Sequence, residues 1–180
     1  MQWLFRLLAQ VGCGLDDRNA GPGGAALQVG ALPYAIDTDG AVRVLLITSR
    51  RSARWIAPKG WPVRGLTLAE GAAKEAFEEA GVRGKAGEPI GLIPPARDGR
   101  GAMSPAILIH PLRVETELAT WPERGQRQRR WLPPEEAAEL AASPLLAAMI
   151  RSLIQLLQPP AGAAGYNDGH DPAGGPWPQS

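Results

Sequence analysis

The segment GWPVRGLTLAEGAAKEAFEEAGV, Gly60–Val82, constrains this chain more than any other. It has helical periodicity, it lies between strand-like runs, and it gathers three carboxylates at one spacing. Thr67 followed three residues later by Glu70 is a capping-box pattern, which predicts a helix starting near Leu68. Gly81 stands where a left-handed cap usually ends one. At roughly 100° per residue, Ala69, Ala73, Ala76, Phe77 and Ala80 share an apolar face, with Glu75, Glu78 and Glu79 nearly opposite. The apolar face is expected to pack on a sheet, and the acidic face to point at the loop before the helix.

The acidic face has two readings. Like charges at i, i+3 and i+4 weaken an isolated helix by about 0.2–0.5 kcal/mol per pair. Acidic clusters on solvated helices are nonetheless common, and spacing alone favours that reading. A solvated face would usually intersperse basic partners, however, and only Lys74 is near. A hard divalent cation such as Mg²⁺ or Mn²⁺ would turn the repulsion into ligation and leave room for substrate phosphates.

The flanks define the architecture. LQVGALPYAI and VRVLLITSR are separated by the turn-forming DTDG, which predicts a hairpin. RWIAP leads into the Gly60–Gly65 loop, and EPIGLIPPA, AILIHPLRVE and RQRRWL read as further strands. PPEEAAELAASPLLAAMIRSLIQLL reads as one helix or two, with a break at Ser143–Pro144. Strands on both sides of a helix, followed by helix, predict an α/β fold with a mixed sheet between helices.

The first residues, with Trp3, Leu4, Leu7, Leu8 and Val11 at helical spacing, read as a short amphipathic helix within an N-terminal extension, 1–24. That apolar run is too short to span a membrane and is interrupted by Arg6, so no membrane partner is expected. A single domain is expected over 25–158, and the Pro/Gly-rich 159–180 reads as a flexible tail. A net charge of +1 argues against a stable nucleic-acid complex, so an anionic ligand must be met by local basic groups. Cys13 is the lone cysteine, which excludes an intrachain disulfide and fits a reducing, cytoplasmic setting.

The residues of the opening segment resemble the Nudix box, whose pattern is Gly, five residues, Glu, seven residues, then Arg-Glu-aliphatic-any-Glu-Glu-any-Gly-aliphatic. Gly60, Glu75, Ala76, Glu78, Glu79, Gly81 and Val82 fall on their expected positions. Leu66 replaces the first Glu, and Lys74 replaces the Arg, keeping its charge but not its bidentate fork. The lead-in ALPYAI…VLLITSR…WIAPKGWP is similar to that of bacterial Nudix hydrolases of the diphosphoinositol-polyphosphate and dinucleoside-polyphosphate branch.

The resemblance implies a Nudix-type α/β/α sandwich and metal-dependent hydrolysis of a diphosphate bond in a phosphorylated small molecule. It implies that Glu75, Glu78 and Glu79, with the Gly60 carbonyl, bind Mg²⁺ or Mn²⁺ and form the catalytic set. A box glutamate or a later carboxylate takes the proton from water, with Glu115, Glu117 and Glu123 as candidates. Arg51, Lys59, Arg64 and Arg97 are the expected phosphate contacts, with Arg50, Arg54 and Arg100 nearby. The arginines of Arg127–Arg130 divide between the two faces of a strand, where edge protection competes with phosphate binding. Trp55 and Trp61 could stack on a base, Trp131 fits packing better, and His110 reads as structural. The alternatives are a nucleoside diphosphate-sugar or RNA 5′-end pyrophosphohydrolase, or a weakly active or non-catalytic Nudix-like binding module. A homodimer is one assembly open to such a domain.

Overall fold

The computed structural model describes residues 26–97 and 101–157. The N-terminal helix, Cys13, Arg100 and the C-terminal tail lie outside the described residues. The predicted hairpin forms from β1 (Leu27–Ile36) and β2 (Val42–Thr48), in antiparallel register with Tyr34 opposite Val44. Its turn closes through Gly40, at φ +84°, and the Arg43 Nε donates to Asp37 at 3.2 Å. RWIAP contributes only the two-residue β3 (Trp55–Ile56), paired with the end of β2. A second short strand, β4 (Lys59–Gly60), places Gly60 opposite Val29 of β1.

The box helix α1 (Leu68–Glu75) continues through a π-helical turn, Ala76–Ala80. Its capping box is present in both directions: Thr67 Oγ1 accepts from the Glu70 N–H, and the Glu70 carboxylate accepts from the Thr67 N–H at 2.7 Å. Gly81 ends the helix at φ +66°, as its position predicts. The buried face differs from a uniform 100° projection. Ala72, Ala76 and Ala80 are fully buried, whereas Ala69 and Phe77 are half-exposed. A π-helical turn advances each residue by a smaller angle, which re-phases the face and carries Glu79 inward.

After Gly81 the chain enters β5 (Val82–Ala86), a strand the sequence hides because Arg83, Gly84 and Lys85 make it weakly apolar. EPIGLIPPA yields only β6 (Gly91–Ile93). β7 (Ala106–Glu117) crosses the molecule, parallel to β1 and antiparallel to β5 and β6. It tolerates Pro111 in a central strand because Pro111 falls between its pairings with β6 and β5. Its carbonyl there accepts from Gly87, so the missing N–H faces the same gap. β8 (Arg129–Leu132) pairs with β2, and then α2 (Pro134–Leu140) and α3 (Pro144–Leu157) follow, broken where Ser143–Pro144 predicts.

Strand alternation builds two cores. Val44 and Leu46 point to one face, with Leu146, Ile150 and Leu153 of α3. Leu45 and Ile47 point to the other, with Val29, Ala31 and the alanines of α1. A mixed sheet between helices is the α/β/α sandwich expected. Among the described residues, no helix is long and apolar enough to cross a membrane.

Candidate active site

Alanine on the buried face of α1 lets the helix lie close to β1, and this brings its carboxylates against the Lys59–Gly60 strand. Gly60 has a steric reason to be glycine: a Cβ there would overlap the carboxylate of Glu75. Glu75 is therefore held against the backbone of β4. Burial, and then the neighbouring Glu79, push its carboxyl above the usual carboxylate range. Among the described residues Glu75 has no basic group hydrogen-bonded to it.

Glu79 is the buried member of the trio, its side chain only 7% exposed. Its Oε2 accepts from the Lys59 backbone N–H at 2.9 Å, and its Oε1 is ion-paired with Arg127. Burial pushes its pKa up, while the Lys59 bond and the Arg127 charge oppose the rise. Glu78 is turned outward and paired with Lys74, an i, i+4 contact. Lys74 thus neutralises a box carboxylate directly. Leu66, at the position of the missing glutamate, is exposed in the turn whose Leu66 N–H donates to the Val63 carbonyl at 3.1 Å.

The candidate later carboxylates separate clearly. Glu115 pairs with Lys85 at 3.8 Å, and Glu117 receives the Trp131 indole N–H and Arg129. Glu123 alone of the three acts on the box carboxylates: its backbone N–H donates to the Glu78 carbonyl at 3.1 Å, and its charge is felt at both Glu75 and Glu79. Arg127, only 5% exposed, joins these parts. It donates through Nε to Glu123 at 2.8 Å, through Nη1 to the Thr48 carbonyl at 3.1 Å, and through Nη2 to Glu79. Arg129 lies on the same face and caps the helix end, donating to the Ala80 carbonyl at 2.7 Å. Arg130 points the other way, to Glu136 of α2. The arginines of Arg127–Arg130 thus serve internal contacts with the box and with α2. Only strand alternation hinted at the division.

The predicted phosphate contacts are dispersed. Lys59 is half-buried beside Glu79, whereas Arg51 and Arg64 are exposed in the loops before and within the box. Arg97 donates to the Gly101 carbonyl at 3.2 Å, in the loop entering β7. That loop opens at the Gly60 end of the sheet, since Leu27 pairs with Ala106 and Val29 with Gly60. A groove of about 370 Å³ borders Arg127, lined by Thr48, Arg50, Trp55, Gln126 and Gln128 among others. Sequence reasoning missed both glutamines. Trp55 faces this groove half-buried, Trp61 is 56% exposed, and Trp131 packs beside the α1 core. A wider groove, about 420 Å³, lies beside Asp37 and Arg43 at the opposite end of β1.

The donor chemistry of Glu75, Glu78 and Glu79 fits a hard divalent cation: carboxylate oxygens, one of them held without a basic hydrogen-bond partner beside other negative charges. Among the described residues, no three acidic, His or Cys side chains already enclose a common point. Binding therefore requires Glu78 or Glu79 to share its oxygens with a cation other than its present partner.

A mixed sheet carrying this loop and helix defines the Nudix class, and residues 26–153 match the NUDIX domain model. The chain belongs to the Nudix family, and its class is that of the Nudix pyrophosphohydrolases. It is 36% identical to Nudix hydrolase 16, mitochondrial, of Arabidopsis thaliana, over 67% of this chain and 75% of that protein. Nudix hydrolase 17, mitochondrial, of the same plant is 30% identical over 73% and 75%. Among solved structures, the C. elegans Ap4A hydrolase superposes with a TM-score of 0.57 at 17% identity, covering 74% of this chain and 99% of that one. The NUDIX domain of Shewanella oneidensis NrtR, complexed with ADP ribose, gives 0.57 at 16% identity, covering 76% and 94%. These two structures share the fold.

Proposed function

We propose that this chain is a divalent-metal-dependent pyrophosphohydrolase acting on a highly phosphorylated small molecule such as a dinucleoside polyphosphate or diphosphoinositol polyphosphate. The packing of Glu75 against Gly60, with Glu79 on the Lys59 N–H and the charge of the distant Glu123 acting on both, carries this reading, because a merely solvated helix face would not bury its carboxylates against a glycine. Glu75, Glu78, Glu79 and the Gly60 carbonyl would hold Mg²⁺ or Mn²⁺. When bound, the ion would neutralise phosphate charge and acidify water.

The protein's own contribution is placement. Glu75, held against the β4 backbone with no basic hydrogen-bond partner among the described residues, is suited to accept the proton of the attacking water. Arg50, which lines the groove beside the box, and half-buried Lys59 next to Glu79 are suited to outer phosphate oxygens. Half-buried Trp55 offers an apolar wall to the remainder of the substrate. The catalytic unit is proposed to run from 25 to 158, with 1–24 and 159–180 as flanking segments.

A non-catalytic binding module is the second reading, favoured by the pairing of Glu78 with Lys74 and of Glu79 with Arg127. One comparison separates them. With a panel of dinucleoside polyphosphates, inositol pyrophosphates, nucleotide sugars and triphosphates, native protein should release phosphate only when Mg²⁺ or Mn²⁺ is present. Glu79→Gln should lower that rate at least about a hundredfold, the scale of losing one electrostatic element of a hydrolytic site. Turnover unchanged in folded Glu79→Gln would remove Glu79 from the catalytic set. No hydrolysis of any panel member by native protein would favour the module.

A further inference from the structure

Arg127 is not part of the box, lies 48 residues beyond Glu79, and is nevertheless the cation closest to the buried carboxylate. A surface arginine would leave most of its donors to water. This side chain is 5% exposed and spends all three of its nitrogens on the protein: Glu79, Glu123 and the Thr48 carbonyl at the end of β2. Three acceptors in three directions fix a planar guanidinium in place, so it cannot swing aside at little cost. Burying a charge in this way is costly unless it is paired, and both of its carboxylate partners would lose a buried cation if it departed.

The charges around it can be counted. Four carboxylates meet here, Glu75, Glu78, Glu79 and Glu123, and two of the cations they hold are Lys74 and Arg127. Arg50 approaches Glu123 at 3.7 Å, but its side chain is 59% exposed and strongly screened. Lys59, half-buried beside Glu79, adds a third cation. Four negative charges against Lys74, Lys59 and Arg127 leave one, which a single divalent ion already exceeds. A second such ion would have to sit beside the guanidinium in a site already neutralised. Like charges at that range repel strongly where water is excluded.

We infer that Arg127 is a built-in cation of the active site, standing between Glu79 and Glu123 where a second metal ion would otherwise bind, so that the site takes a single divalent ion. This inference rests on the proposed metal-dependent reading of the carboxylates. Arg127 is a positioning residue in this role: it acts through Glu79 and Glu123 and fixes which carboxylate oxygens remain for the ion. The open side of Glu75 and the outward Glu78 are then the places for that ion, with Glu79 sharing at most part of its coordination. The same guanidinium ties the loop bearing Glu123 to the box.

Counting bound Mn²⁺ tests this without reference to turnover. Free Mn²⁺ is followed by electron paramagnetic resonance as full-length protein is titrated, with unfolding curves taken on the same samples. Native protein should bind one Mn²⁺ per chain at saturation, and Arg127→Lys, which keeps the charge, should also bind one. Arg127→Gln should bind two, or bind the first at least tenfold more tightly. Two or more ions in the native protein would overturn the inference, as would a folded Arg127→Gln that binds one ion with unchanged affinity. Should Arg127→Gln fail to fold, the native and Arg127→Lys counts decide alone: one ion in both upholds the role, two in either overturns it. No Mn²⁺ bound by native protein would instead remove the metal reading on which the inference stands.

Discussion

Gly60 shows how much one missing carbon can determine. The box pattern makes it recognisable in sequence, but the pattern does not say why glycine is required. Its φ is not in the left-handed region, so backbone freedom is not the reason. The reason is space: the Glu75 carboxylate occupies the position of a side chain. Gly60→Ala should push Glu75 off β4 and reduce hydrolysis at least tenfold. The overlap should also cost about 1–3 kcal/mol of stability, the usual range for overpacking. Phosphate release and urea unfolding on the same preparation would check both. Full activity in the folded variant would mean that Glu75 does its work elsewhere. Arg127 illustrates the opposite case at this scale. Nothing in RQRR marks one arginine as internal, since its partners Glu79 and Thr48 are far away in the chain. Short-range pattern can reveal Glu75, Glu78 and Glu79 together, but not the cation that arrives from β8's approach.

The box helix was legible from its two ends inward. Thr67, Glu70 and Gly81 satisfy terminal backbone groups locally, so their roles follow from sequence and reappear in the structure. Its interior was less legible, because a π-helical turn changes the angular step and no local residue announces it. β5 was hidden for a related reason: its stability comes from pairing with β7, and Arg83, Gly84 and Lys85 have little strand character of their own. The C-terminal end of the helix is held by long-range contacts as well. Arg129 donates to the Ala80 carbonyl and lies 3.9 Å from the Trp121 ring, and that ring covers Gly81. Gly81→Ala should therefore be penalised twice, by the left-handed backbone at about 1–2 kcal/mol and by displacing the indole. A loss of at least about 2 kcal/mol is expected in denaturant unfolding. A loss below half of that would show that Trp121 does not press on the cap.

At the scale of the whole molecule, the two cores on either side of the sheet make global stability depend on buried polar groups within it. His110 shares its strand face with Leu112 on the α1 side and is 4% exposed. Its Nδ1–H donates to the Gly87 carbonyl at 2.8 Å, because a carbonyl can only accept. Nε2 is then a bare acceptor without a partner among the described residues. Protonating it would create a buried, unpaired donor and a charge, so burial holds the imidazole below its ordinary value of 6.5, while the Gly87 bond and Glu88 oppose that shift. The unfolded chain therefore takes up the proton first as pH falls. Stability from this group is complete above 6.5 and is lost as pH drops below it toward the depressed folded value, at no more than about 1.4 kcal/mol per pH unit. Glu75 and Glu79 act in the opposite sense: with pKa values raised above 4.5, they favour the folded state at acidic pH and lose that advantage as pH rises through their raised values. Only the difference between native protein and a His110 variant isolates the histidine. Gln at 110 keeps an N–H for the Gly87 carbonyl and cannot titrate, so His110→Gln should show a flatter decline in unfolding free energy below pH 6.5. Parallel curves for the two proteins between pH 7 and pH 5 would mean that His110 is protonated as readily in the fold as outside it.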